Sequence, residues 1–444
     1  MKKKLSLLLV LALMVTTLAA CAPKKTDDGA GKGDTPAAEP GDVKAAITVQ
    51  VEADWAEYYT AAAERVKAKY PDAEITMIET GSFDHLDVLD ATDVTNKDVA
   101  DVFAIPADRI YGMSKNEALG ALDAKTMADN LGGFENYDDG LGGNFKVEDE
   151  YLAFPMNIET LINFVNTKNA ETAGIDLSKE IEFTELDPEA MLVPFFDAWF
   201  GVSFVNAGNI ELLGKDEQGK LYSDMTKDFS ELDASQQEVF KSLFNYWQAH
   251  KEANTALFDA DAAWGYMDSS FETGGKTAIR LEGPWSTGNL SALAADGADL
   301  DAMPIQNVVV MGNPLSHWKG GWGLAINSRI EDNADQKQLA EAMIQEIVNP
   351  EFAIDFFKAT GKVLNNVKAD VYMDSDLEEI DKKVIETVYK SYEDAPNRPL
   401  FTEWGNVWDT WKNAVLSWNS VNPATAEDAY KELQASFTAM MGNF

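Results

Sequence analysis

Tryptophan and carboxylate are the side chains of this 444-residue sequence that could do chemistry: eleven of the first and 75 of the second, against 36 lysines and arginines. An indole face stacks on the apolar CH face of a sugar ring, while flanking Asp, Glu and Arg can hold hydroxyls in pairs. Seven tryptophans, at 285, 318, 322, 404, 408, 411 and 418, fall in the last 160 residues. Trp404, Trp408, Trp411, Val415 and Trp418 follow i, i+4, i+7, i+11 and i+14, one stripe on one helix face. Such stripes are core, and Trp411 and Trp418 are assigned there. Trp404 and Trp408 stand at the helix start, where a ring can project into a cleft.

Catalytic motifs are scarce by comparison. The three histidines (His85, His250, His317) are not spaced for metal binding, and there is no Gly-x-Ser-x-Gly elbow, P-loop or Gly-x-Gly-x-x-Gly after a strand. Asp259-Ala-Asp261 opens like a calcium loop but lacks its glycine and terminal glutamate, so it reads as surface acid. With this many carboxylates some pair always stands at glycosidase spacing, so their number does not argue for hydrolysis. No cofactor and no metal are expected.

Cys21, the only cysteine, excludes an intramolecular disulfide and a Cys-based zinc site. It follows Leu18-Ala19-Ala20, which closes an apolar run from Leu5 with Lys2, Lys3 and Lys4 in front, the layout of a secretory signal. The run is shorter than the ~20 residues a spanning helix needs. A cysteine after two small residues matches the lipobox of bacterial lipoproteins, in which it becomes the acylated first residue of the mature chain. Residues 22–42 hold only Gly, Ala, Pro, Asp, Glu, Lys and Thr and read as a flexible tether. The net charge is −39, and −42 once residues 1–20 with their three lysines are removed. That surface repels nucleic acid and anionic headgroups.

The elements that must position these residues alternate. Residues 45–51, 74–78 and 99–105 read as strands, and Trp55, Tyr58, Ala62, Val66 and Tyr70 fall at helical spacing before Pro71. Further strands are expected at 151–154, 161–165, 277–281 and 323–326, helices at 236–251 and 336–348, and a hairpin turn at 214–219. The last third is helical, and no internal repeat is present. This density of alternation argues for an α/β protein with a mainly parallel sheet. At 45% hydrophobic, the chain can build two or more lobes, since single cores stop growing near ~250–300 residues.

The run Phe271-Glu-Thr-Gly-Gly-Lys-Thr-Ala-Ile-Arg-Leu-Glu-Gly-Pro-Trp285 resembles the element ending in Gly-Pro-Trp of bacterial extracellular sugar-binding proteins, the maltodextrin-binding group that serves ABC importers. DVFAIPADR (101–109), EYLAFPMNIETLINFVN (150–166), GGWGLAI (320–326) and RPLFTEWGNVWDTWKNAV (398–415) fit the same order, so the resemblance runs from about residue 45 to the end. It implies a periplasmic-binding-protein-like α/β fold of two hinge-linked lobes, residues 43–156 with 323–374 and residues 157–322 with 375–444. It also implies ligand contacts at Asp54, Trp55, Asp108, Arg109, Glu159, Trp285, Trp322 and Trp408, to which Trp404 is added for its place at the helix start. Trp55 replaces the family's usual lysine, Asp108 and Arg109 would fork around vicinal hydroxyls, and Ser286-Thr287 would cap the helix after Trp285. Phe195, Phe196 and Trp199 are all candidates for the family's aromatic near 195–205.

What the resemblance implies is a non-enzymatic monomer. It would be lipid-anchored through Cys21 on the outer face of the cell membrane, binding an oligosaccharide between its lobes for an ABC permease. Two other classes stay open on the residues alone: a secreted glycoside hydrolase, and a binding protein for a cationic solute such as a polyamine. Arg109 in the cleft speaks against the second.

Overall fold

Residues 43–444 are described by a computed structural model, and the first of them fold by strand–helix alternation. Cys21, the apolar run before it and the tether after it lie outside the described residues. β1 (Ala46–Val51), α1 (Ala56–Lys69), β2 (Glu74–Glu79), α2 (Ser82–Ala91) and β3 (Val102–Pro106) follow in order. α1 forms where apolar residues recur at helical spacing: Tyr58, Tyr59, Ala62, Ala63 and Val66 are buried, and Pro71 prevents its continuation. β4 (Leu119–Gly120) and β5 (Phe154–Glu159) complete this stretch.

After β5 a two-residue link carries the chain into a second sheet of β6 (Ile162–Asn166), β7 (Met191–Leu192), β8 (Ile279–Glu282) and β9 (Leu300–Met303). Between these strands run α3 (Ala198–Ala207), α4 (Ala234–Glu252), α5 (Ala263–Phe271) and α6 (Thr287–Leu293). α4 begins at a capping box in which Asp233 and Gln236 satisfy each other's backbone amides. β10 (Gly320–Asn327) and β11 (Val363–Leu364) return to the first sheet, with α7 (Ala334–Ile347) and α8 (Ala353–Thr360) around them. α9 (Glu379–Glu393), α10 (Asn406–Val421) and α11 (Ala426–Met441) end the chain. The expected turn at 214–219 joins two short antiparallel strands.

The sheets are mixed, which corrects the expectation of a mainly parallel one. β1 pairs parallel with β2 and β3, but β10 runs antiparallel to β3, β4 and β5. In the second sheet only β7 and β8 are parallel. The reason is topological: alternation makes parallel neighbours only while each helix returns the chain to the same end of the sheet. β10 instead enters from the other lobe, at the edge where β5 left, with Gly320 opposite Glu159.

Two large apolar cores result. One gathers β1, β5, β10, α1, α7 and α8; the other gathers Phe195, Leu243, Trp247, Trp411, Trp418 and Phe437. α9 joins them. Val384, Ile385 and Val388 continue the first core, the Tyr389 hydroxyl donates to Val367 O, and the Ile305 amide of the second lobe donates to the Ser391 hydroxyl.

Candidate functional site

Strand direction decides where side chains converge. β1, β3 and β5 share one direction, so their carboxyl ends lie at one edge of the first sheet, where antiparallel β10 and β11 begin. The carboxyl ends of β7 and β8 form the matching edge of the second sheet. Ligand clefts in open α/β sheets lie outside such ends. Here the two edges enclose a cleft of about 1400 Å³, above the ~300–1,000 Å³ of an ordinary small-molecule pocket.

Eight of the nine expected contacts line it. Asp54 and Trp55 follow β1, Asp108 and Arg109 follow β3, Glu159 ends β5 and Trp322 opens β10. Trp285 and Trp408 come from the second lobe. Trp404 does not line the cleft and is corrected: it is 2% exposed, wedged 4.9 Å from the Trp318 ring and 4.8 Å from that of Trp408. α10 begins only at Asn406, so Trp404 sits on the preceding turn, off the helical stripe and turned into the core. Of the three open candidates, Phe195 and Phe196 are core and Trp199 faces the cleft. The buried His317 holds Trp199, its ring 4.2 Å away and its Nε2 2.9 Å from the Trp199 carbonyl; burial pushes its pKa down to about 3, so the imidazole is neutral.

Trp322 and Glu159 are locked together. The indole N–H donates to both carboxylate oxygens at 3.0 and 3.1 Å, and the ring meets Phe83 edge to face. Lys362, just before β11, stands 3.9 Å from Glu159 and over the rings of Trp55 and Trp322 at 5.6 and 5.3 Å. Burial pushes the Glu159 carboxyl up, against the pull of Lys362, Arg398 and the indole N–H. Gly321 is required beside this pair, because a Cβ there would meet Asn157 O at 2.6 Å and the Leu141 side chain at 2.5 Å.

Asp108 and Arg109 do not fork together. Arg109 Nη2 reaches Asp90 and Asp87 of α2 at 3.2 and 3.4 Å, while Asp108 meets Arg398 at 2.9 Å. Trp285 owes its place to Gly283, where a Cβ would lie 2.0 Å from the indole; that close approach is the physical content of the Gly-Pro-Trp sequence. The helix after it is not capped by the Ser286 side chain, which donates instead to Glu282 at 3.2 Å.

Sequence reasoning missed Lys362, Arg398, Trp264 and the Asp268–Arg280–Glu282 triad, all on the cleft wall. Trp264 lies outside the C-terminal cluster of tryptophans, but its i, i+4 spacing with Asp268 was a signal. Among the described residues no group of His, Cys, Asp and Glu could hold a metal ion, and no helix is long and apolar enough to cross a membrane.

No protein-family model matches this sequence, and no curated protein matches it. Solved structures do. A maltose-binding protein of Listeria monocytogenes, in complex with maltose, superposes with a TM-score of 0.63 at 18% identity, over 89% of this chain and 98% of that one. MalX of Streptococcus pneumoniae, in complex with maltopentaose, gives 0.65 at 17% identity over 88% and 99%. The GacH receptor of Streptomyces glaucescens, studied unliganded and with acarbose, gives 0.68 at 14% identity over 91% and 100%. At such identities the likeness establishes the fold, the two-lobed α/β architecture of these binding proteins.

Proposed function

We propose that this protein is an extracellular solute receptor that captures an oligosaccharide of maltodextrin type between its lobes and delivers it to an ABC permease. The observation that carries the reading is one cleft faced by indoles from both lobes: Trp55 and Trp322 on one side, Trp199, Trp285 and Trp408 on the other. Between them stand Asp54, Asp108, Glu159 and Arg109, charged groups that hold hydroxyls in pairs. A ligand touching both walls stabilises the closed arrangement, and closure about the linking strands is what a permease would recognise. The lipobox at Cys21 supports attachment to the outer face of the cell membrane through acyl chains, with the protein working as a monomer. No catalysis or cofactor is invoked.

A cationic solute is the second reading, because ten acidic but only five basic residues line the cleft. Against it, the protein's own cations already cover four of these five indoles: Lys362 lies over Trp55 and Trp322, and Arg398 over Trp199 and Trp408.

Thermal-shift and calorimetric titration with maltose through maltopentaose and with spermidine separates these readings, since a ligand at 100 times its Kd stabilises by ~2.7 kcal/mol. Retention of the oligosaccharides unshortened after incubation is the expected chromatographic result. Shortened products would show a glycoside hydrolase, and a response to spermidine alone would show a cation receptor.

A further inference from the structure

A second cavity, of about 580 Å³, lies outside the cleft and has the size of an ordinary small-molecule pocket. The loop of residues 133–142 forms one wall, residues 365–369 after β11 form another, and Tyr389 of α9 completes it. Leu141 of that loop packs where a Cβ on Gly321 would point, at 2.5 Å, while the next residue of β10, Trp322, turns to the cleft. Strand residues alternate between faces, so this cavity lies across the linking strands from the cleft.

Its lining suits a sugar ring. Phe134 is half-buried and held by Tyr137 and Phe154, at 5.4 and 5.5 Å between ring centroids, and Tyr389 supplies a further ring. Asn136, Asp139 and Asn365 line the same space, and their side chains make no hydrogen bond among the described residues. Glu135 and Lys368, the other charged groups of the wall, neutralise each other at 2.7 Å. Two free amides and one free carboxylate beside aromatic rings can hold the hydroxyls of a ring whose apolar face stacks. With no unpaired cation on the wall, an anionic ligand is disfavoured.

The walls belong to different lobes. The loop packs on Phe154 at the start of β5 and moves with the first lobe. Tyr389 moves with the second: α9 packs along β9, the Ser391 hydroxyl takes the Ile305 amide at 3.1 Å, and Lys390 O takes Gln306 Nε2 at 3.2 Å. The Tyr389 hydroxyl also donates to Val367 O of the first lobe, so this ring stands at the joint. Because the linking strands separate the two spaces, opening the cleft draws the far walls together. An occupant of the cavity opposes that movement and favours the closed form.

We propose that this cavity is a second binding site, for a single uncharged sugar ring, and that its occupation tightens binding in the cleft. The site stands on its own residues, and its effect on the cleft rests on the oligosaccharide reading above.

Saturation-transfer NMR with glucose, after maltopentaose has filled the cleft, tests the site. The glucose signal should persist in the wild type and vanish in the double variant Asn136→Ala/Asp139→Ala, whose unliganded melting curve confirms that it is folded. In calorimetric titration, saturating glucose should tighten maltopentaose about fivefold in the wild type and leave it unchanged in the variant. Coupling is reciprocal, so maltopentaose should tighten glucose by the same factor. Glucose displaced by maltopentaose, no glucose bound at all, or a signal that survives in the double variant would overturn the site. Maltopentaose bound no more tightly with glucose present would overturn the effect on the cleft. A wild type that binds no maltopentaose overturns the sugar reading of the cleft, and glucose held by the wild type but lost by the double variant then still supports the site.

Discussion

Arg398 Nη2 of the second lobe stands 2.9 Å from Asp108 Oδ1 of the first, an ion pair that crosses directly between the lobes at the cleft. The guanidinium is nested among three indoles, with centroid distances of 5.1 Å to Trp199, 5.5 Å to Trp318 and 5.6 Å to Trp408. Asp108 is carried on the turn after β3, whose neighbours Ala107 and Ile110 belong to a core of the first lobe. The contact is one of charge, since Asp108 Oδ1 has no aligned hydrogen-bond donor and Arg398 Nε has no acceptor among the described residues. Gly361, also on the cleft wall, adopts the left-handed conformation at φ +65°, and a Cβ there would lie 3.3 Å from Trp285 Cα and Pro284 O.

Replacing Arg398 should therefore loosen the lobes. Arg398→Ala removes a cation that stacks on indoles and leaves a largely buried Asp108 without compensation. Losing one partner of a buried pair costs ~3–5 kcal/mol, and access to cleft water brings the expected cost to about 1–3 kcal/mol. Arg398→Lys keeps the charge without the planar stacking and should lose less. Small-angle scattering without ligand reads the effect as a larger radius of gyration for Arg398→Ala. An unchanged radius would show that the pair does not hold the lobes.

Much of this was legible in the sequence, for identifiable reasons. Elements with their own periodicity and stop signals were readable: α1 by its apolar spacing and Pro71, the turn at 214–219 by its glycines, and β3 by an unbroken apolar run. Sheet direction was not, because the antiparallel entry of β10 depends on the chain having visited another lobe, which no local pattern records. Site residues attached to a motif were likewise readable, as with Trp285 after Gly-Pro. Trp404 shows the limit: its spacing fits the stripe, but the helix starts two residues later. Arg398 and Lys362 were invisible because each works through indoles distant in sequence.

Cys21→Ser should release the protein from the membrane. The lipobox supplies the only acylation site expected, and among the described residues no helix is long and apolar enough to cross a membrane. Fractionation after a high-salt wash reads this, with the variant expected in the soluble fraction and the wild type in the pellet. A variant retained in the pellet would mean another attachment.

Glu211 should make stability fall as pH rises. Burial, and then the neighbouring Asp224 carboxylate, push its pKa up from 4.5 to about 7. The folded state therefore binds this proton more tightly than the unfolded chain, so the stabilisation is full below pH ~4.5 and is lost as pH rises to about 7. Glu211→Gln removes the titration. Relative to the wild type, its melting temperature should gain on going from pH 5 to pH 8, and a constant difference would refute the assignment.

Trp408 and Trp411 sit three residues apart on α10 and should fail in opposite ways. Trp411 is fully buried, and its indole N–H donates to Phe195 O at 2.7 Å. Its loss opens a cavity and orphans a carbonyl, so Trp411→Ala should cost roughly 3–5 kcal/mol of stability. Trp408 is half-buried, with one side against Trp404 and another lining the cleft. Trp408→Ala should cost less in folding and on the order of 1–3 kcal/mol in sugar binding, where 1.4 kcal/mol is tenfold in Kd. Because Arg398 also rests on Trp408, part of that loss should appear as looser lobes, readable as a larger unliganded radius of gyration. Melting without ligand and calorimetric titration with it separate the two residues. If Trp408→Ala melts as low as Trp411→Ala yet binds sugar normally, Trp408 belongs to the core and the cleft wall ends at Trp199.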